Sequence, residues 1–369
     1  MSYESRIVRY DSFIKNEFLA GFLKGDEYSL EDMDDVLVKK IMSGQFRRIV
    51  FTGMGCSAIV SDVIRGYLIE RGVALDIYVV NDYDFHFLVP DSVIEDEATL
   101  IIVSSYSGHS SEPVIALQRL LHVGHRVLLL TSGGRLAEVG KENNISIMYW
   151  RLREPDREYP LFHVAQYFAI LVDVFVKFGL LSPEHLDELP VLPEQLRADF
   201  DEEKAESVRQ VAEASRDANI ILVAPPKWHE SLLKLCKMHL NEIAMVPATR
   251  NYFHEFCHSE IASLSDPERR HTVLLFCDAE SDEYTKKKTD NLERLLTASV
   301  PQNKNVFVHR VELNQQGFLR NFFGALDFIQ QLTLELGRHT NVVSRELISE
   351  AAGNPWYHST TIEAERKAG

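Results

Sequence analysis

Two short stretches place glycines and hydroxyls where a chain can hold an anion. Gly53-Met54-Gly55-Cys56-Ser57-Ala58 follows an apolar run and leads into an amphipathic one. Its spacing fits G-x-G-x-x-A, a variant of the dinucleotide fingerprint, and Asp82 stands at the end of the next apolar run. Glycines there let the backbone approach an anion, and a helix N-terminus offers unpaired N–H groups. The same residues also suit a tight strand-to-helix turn with no ligand. No lysine closes the loop, which excludes a nucleoside-triphosphate loop of the Walker type. The second stretch, Ser104-Ser105-Tyr106-Ser107-Gly108-His109-Ser110-Ser111-Glu112, carries six hydroxyl-bearing residues. Hydroxyls joined to helix N–H groups bind a phosphate monoester without a fixed positive charge. Ser110 or Ser111 also suits the N-cap of a capping box. A dinucleotide has no use for a second serine loop. Two anion-friendly loops at neighbouring strand ends favour a single phosphate. Thr131-Ser132-Gly133-Gly134 lies at the same edge.

A different chemistry is suggested by His254-Glu255-Phe256-Cys257-His258, which matches the zinc-protease pattern H-E-x-x-H. That pattern needs a long helix and a third ligand downstream. Pro247 and the pair Tyr252-Phe253 precede it, and Ser263, Ser265 and Pro267 follow, which is poor helix context. No metal is expected. The four cysteines, Cys56, Cys236, Cys257 and Cys277, form no C-x-x-C pair and fit a reducing compartment.

The elements that must position these loops are legible as an alternation. Apolar β-branched runs at 48–52, 75–80, 100–104, 126–131 and 145–150 read as strands buried on both faces, hence a parallel sheet. Helices are expected between them at 58–71, 112–123 and 136–143, with a long one at 160–180. Pro183, Pro190 and Pro193 mark 181–194 as a linker. The second half repeats the pattern, with strands at 220–224, 273–277, 306–313 and a short one at 245–247. Its helices are expected at 203–216, 230–241, 282–298 and 319–336. The fold class is therefore α/β, with two tandem doubly wound domains at 1–182 and 195–353 and a tail at 354–369.

Composition narrows the partners. The chain has 369 residues, 45% hydrophobic and 25% charged, as in a soluble globular protein. Lys plus Arg is 39 against 55 for Asp plus Glu, a formal net charge of −16. That argues against a general nucleic-acid or anionic-membrane binder, both of which need a basic surface. Residues 161–181 are the most apolar, yet His163, Gln166, Asp173 and Lys177 interrupt them, so they read as a buried helix. The N-terminus has no apolar signal-peptide core, and a cytoplasmic location is expected.

The glycine turn, the segment Ser105-Tyr106-Ser107-Gly108 and the segment Thr131-Ser132-Gly133-Gly134-Arg135-Leu136-Ala137-Glu138 together resemble the sugar isomerase (SIS) domain. More narrowly, the chain resembles the bifunctional phosphoglucose/phosphomannose isomerase family, which joins two SIS domains in one chain. The likeness extends over nearly the whole sequence. It implies reversible aldose–ketose isomerisation of hexose 6-phosphates, glucose or mannose to fructose, with no metal or organic cofactor. It also implies that Gly55, Ser57, Ser105, Ser107 and Ser110 bind the substrate phosphate.

In the resembled family an Asn-Glu pair holds the catalytic glutamate, and a histidine some sixteen residues later opens the sugar ring. Asn241-Glu242 and His258 fall at that separation. Moving a proton between C1 and C2 through a cis-enediol needs one carboxylate on one face of the substrate, and ring opening suits an imidazole. The likeness further assigns Arg157 to the developing enediolate and makes the protein a homodimer with His258 contributed across the interface. Cys56 stands where a third glycine is usual, and Ser259 where an asparagine follows the histidine. The alternative on the same fold is a non-catalytic phosphosugar-binding protein.

Overall fold

Runs of apolar residues become fully buried strands wherever helices cover both faces of a sheet. The structure, a computed structural model, describes residues 27–152 and 160–342 with positions 345 and 348. Arg157 and the 354–369 tail lie outside the described residues. The chain divides into two compact units that part between Pro190 and Val191.

In the first unit a short strand β1 (Tyr28–Ser29) is followed by β2 (Arg48–Gly53), β3 (Asp76–Asn81), β4 (Thr99–Ser104), β5 (Val127–Thr131) and β6 (Ser146–Trp150). Every residue of β4 and β5 is buried. The sheet order is β1-β6-β5-β4-β2-β3, parallel throughout except for antiparallel β1. The longest helices of this unit are α1 (Gly55–Glu70), α2 (Ser111–Leu120), α3 (Gly134–Glu142) and α4 (Val164–Lys177). From β2 the chain steps to β3 on one side and then to β4 on the other. The carboxyl ends of β2 and β4 therefore form the topological switch point, where ligands bind in open α/β sheets.

The second unit repeats this order. Its strands β7 (Asn219–Ala224), β8 (Ala248–Tyr252), β9 (His271–Asp278) and β10 (Val306–Leu313) pair in parallel as β10-β9-β7-β8. No helix among the described residues is long and apolar enough to cross a membrane.

Two local expectations fail for physical reasons. Residues 181–194, within which the two units part, are helical rather than irregular, because α5 (Glu184–Asp199) runs through Pro190 and Pro193. Leu189, Leu192 and Leu196, at helical spacing, are all buried, and that burial outweighs the cost of interior prolines. The short strand expected at 245–247 begins at Ala248 instead. Met245 is left-handed (φ +53°), and the Asn241 side chain accepts a hydrogen bond from the Ala248 N–H at 3.0 Å, so the turn lasts until 247.

Candidate active site

Three loops meet at the carboxyl edge of the first sheet. Gly53 ends β2 and pairs in register with Ser104, the last residue of β4. A Cβ on Gly53 would stand 2.9 Å from the Ser104 carbonyl oxygen, so only glycine permits this approach. The turn then enters α1, sixteen residues long, at Gly55. In the serine loop the Ser105 N–H donates to the Leu130 carbonyl at 3.0 Å. The Tyr106 carbonyl accepts from both the N–H and the hydroxyl of Ser132, each at 2.8 Å. Gly108 takes φ +66°, and a Cβ there would lie 2.0 Å from the Gly133 carbonyl oxygen. The Gly108 carbonyl in turn accepts from the Leu136 N–H at 2.9 Å. The third loop thus buttresses the second.

The hydroxyls expected to hold phosphate are unspent. Among the described residues, Ser57, Ser105 and Ser110 make no side-chain hydrogen bond, while the Ser107 hydroxyl accepts from the His109 N–H at 3.3 Å. Ser110 occupies the N-cap position of α2 with extended backbone, yet its side chain caps nothing, contrary to the capping-box reading. Ser105 is buried, Ser57 half-buried, and Ser107 and Ser110 exposed. Gly55, Ser57, Ser105, Ser107 and Ser110 all belong to the glycine turn with its helix and the serine loop, which meet at Gly53 and Ser104. Asp82 is fully buried and one of its oxygens accepts from the Thr52 hydroxyl, so it does not face outward as the ribose-binding acid of a dinucleotide site must.

At the equivalent switch point of the second sheet a tryptophan links the two strand ends. Trp228, buried after β7, donates its indole N–H to Asp278 at the end of β9 at 2.8 Å and stacks on Phe318.

Glu242 lies in that second unit on an unusual helix. The helical run passes through Pro226–Trp228, a π turn at His229–Leu233, an α turn at Lys234–Met238 and a second π turn at His239–Ile243. π turns inside helices concentrate at functional sites because they re-aim side chains. Glu242 is half-buried in the second one. The helix end is tied to β8 through Asn241 and to the end of the helix Phe318–His339 through the hydroxyl of its C-cap Thr340, which donates to the Ala244 carbonyl at 3.3 Å. His239, one turn before Glu242, is fully buried, and burial pushes its imidazole down to about 3.

His258 is the exposed last residue of a six-residue helix (Phe253–His258). The poor helix context is overridden by Phe253 and Phe256, both buried one turn apart. His254 stacks on Tyr284, with ring centroids 5.9 Å apart. Among the described residues no three His, Cys, Asp or Glu side chains gather as metal ligands would.

The sequence reading missed the support behind the serine loop. Tyr167, on α4, shares a 2.6 Å hydrogen bond with the Ser104 hydroxyl. Trp150 stacks on Tyr167 at 4.3 Å and packs against Tyr106 at 4.7 Å. These partners lie 17 to 63 residues apart, and no spacing signal in the sequence links them.

Residues 204–336 match the family model of the bacterial phospho-glucose isomerase C-terminal SIS domain. The bifunctional phosphoglucose/phosphomannose isomerase of Thermoplasma acidophilum is 25% identical over 302 residues, 81% of this chain and 86% of that one. The enzyme of that name from Caldicellulosiruptor bescii is 28% identical over 235 residues, 62% of this chain and 65% of that one. The tagatose-6-phosphate ketose/aldose isomerase from Escherichia coli shares the fold with a TM-score of 0.61 and 17% identity, covering 90% of this chain and 92% of its own. The chain is thus similar in sequence to the bifunctional phosphoglucose/phosphomannose isomerases, which are enzymes of the isomerase class; its second half matches a SIS domain, and it shares its α/β fold with a phosphosugar isomerase.

Proposed function

We propose that this chain interconverts aldose and ketose hexose 6-phosphates, glucose 6-phosphate or mannose 6-phosphate with fructose 6-phosphate. The reaction proceeds by proton transfer between C1 and C2 through a cis-enediol. The observation that carries this reading is the meeting of the glycine turn and the serine loop at the switch point between β2 and β4, in loops where the hydroxyls of Ser57, Ser105 and Ser110 make no side-chain hydrogen bond among the described residues. No lysine or arginine lies in the glycine turn or the serine loop, so hydroxyls and backbone N–H groups are the phosphate's partners there.

Glu242 is the base that carries the proton, since one carboxylate can remove it from one carbon and return it to the other. His258 of the partner subunit of a homodimer opens the pyranose ring, and Arg157 steadies the enediolate. Neither metal nor organic cofactor takes part. The deciding experiment incubates the purified protein with fructose 6-phosphate in the presence of EDTA and identifies the products. Glucose 6-phosphate or mannose 6-phosphate formed under chelation supports the proposal. Binding without turnover would leave a phosphosugar-binding protein on the same fold.

A further inference from the structure

We propose that Tyr167, Trp150 and Tyr106 form a clamp that positions Ser105 for phosphate, with Tyr167 as its fixed point. The inference rests on the phosphate site proposed above and adds positioning residues to it. Ser105 is the buried one of the serines expected to hold phosphate in this loop, and both of its neighbours are held from behind. On one side the Ser104 hydroxyl is bonded to the Tyr167 phenol at 2.6 Å. On the other, the Tyr106 ring packs on Trp150, and its phenol oxygen accepts from the Leu152 N–H at 3.2 Å. Trp150 and Tyr167 then stack nearly parallel, 10° apart, which closes the ring of contacts. Residues 104 and 106 therefore cannot shift independently, and Ser105 between them is fixed in place.

Ser104 is also the junction of the two anion loops. Its carbonyl packs against Gly53, and its Cα is in register with Gly53 on one side and Leu130 on the other. Burial holds the Tyr167 phenol protonated far above its ordinary range, so this hydrogen bond persists across the working pH. Releasing the phenol from Ser104 would loosen both halves of the phosphate site while touching neither the base nor the ring opener. Side chains pre-set in this way spare the substrate the cost of ordering them.

The test compares Tyr167→Phe, which keeps the ring stack and loses the hydroxyl, with Ser104→Ala, which removes the other partner, and with both together. KM and kcat for fructose 6-phosphate are measured beside the Kd of the same ester by calorimetry, and a thermal melt confirms folding. Each single variant is expected to raise KM and Kd about three- to tenfold with kcat within about twofold, and the double variant no more than either single one. If Tyr167→Phe does not fold, Ser104→Ala reads the same bond. Affinities unchanged in folded Tyr167→Phe and Ser104→Ala, or effects that simply add, overturn the clamp. The combined variant Ser105→Ala/Ser107→Ala separates the two proposals. If it weakens binding while Tyr167→Phe and Ser104→Ala do not, the clamp alone fails. If it too leaves binding unchanged, the phosphate site lies elsewhere and both fall.

Discussion

Thr52 and Asp82 share a 2.9 Å hydrogen bond beneath the glycine turn, out of reach of solvent, and the second carboxyl oxygen of Asp82 has no partner among the described residues. Burial pushes this carboxyl up to about 7, against the opposing Thr52 hydrogen bond and with a smaller push from Glu112. In the unfolded chain it would titrate near ~3.9. Between these values the folded protein keeps a proton that the unfolded chain has released, so stability falls as pH rises and the loss is complete above about 7. Asp82→Asn keeps an acceptor for Thr52 and cannot ionise. Its thermal stability should exceed that of the wild type by a margin that grows between pH 5 and pH 8, up to about 4 kcal/mol. A margin independent of pH would show that Asp82 does not titrate in this window.

The phosphate loops yield a kinetic expectation. Ser105→Ala combined with Ser107→Ala removes two neutral hydroxyl donors without opening the core. The loss should be roughly 1–2 kcal/mol, seen as a KM increase of about 5- to 30-fold with kcat much less affected. Both melting temperature and sugar-phosphate titration should be followed. A stable variant with unaltered KM would move the phosphate site off this loop.

The strands of the first unit were legible because each is a short apolar run buried on both faces, and periodicity reports burial directly. The same reading misjudged α5, where three prolines signalled a break while three buried leucines decided the outcome. It also missed the π turns around Glu242, since the extra residue in each turn leaves the apolar spacing nearly unchanged. The serines were visible as a composition anomaly. Their support by Tyr167 and Trp150 was not, because stacking between distant residues has no local signature.

Glu242→Gln preserves shape and hydrogen bonding but cannot accept a proton from carbon. If Glu242 is the acceptor, kcat should fall by about 1,000-fold or more while fructose 6-phosphate still binds. Rapid-quench measurement of solvent deuterium uptake at C1 and C2 would check the chemical step itself. Retention of a tenth of the wild-type rate would take Glu242 out of the mechanism.

The assignment of His258 carries the expectation about subunits. If His258 only opens the ring, His258→Ala should slow turnover of cyclic substrate far more than proton exchange in material supplied open-chain. If the histidine comes from the other chain of a homodimer, Glu242→Gln and His258→Ala proteins are each inactive alone but complement each other once subunits exchange. A mixed dimer then holds one cleft with an intact Glu242 from one chain and an intact His258 from the other, while its second cleft has neither. Under random exchange half the dimers are mixed and half their clefts work, so the ceiling is roughly a quarter of wild-type activity. Subunit exchange is verified independently by mass spectrometry of isotope-labelled chains. Exchange without recovered activity would place both residues in one chain's cleft, or leave the exposed His258 with no part in catalysis.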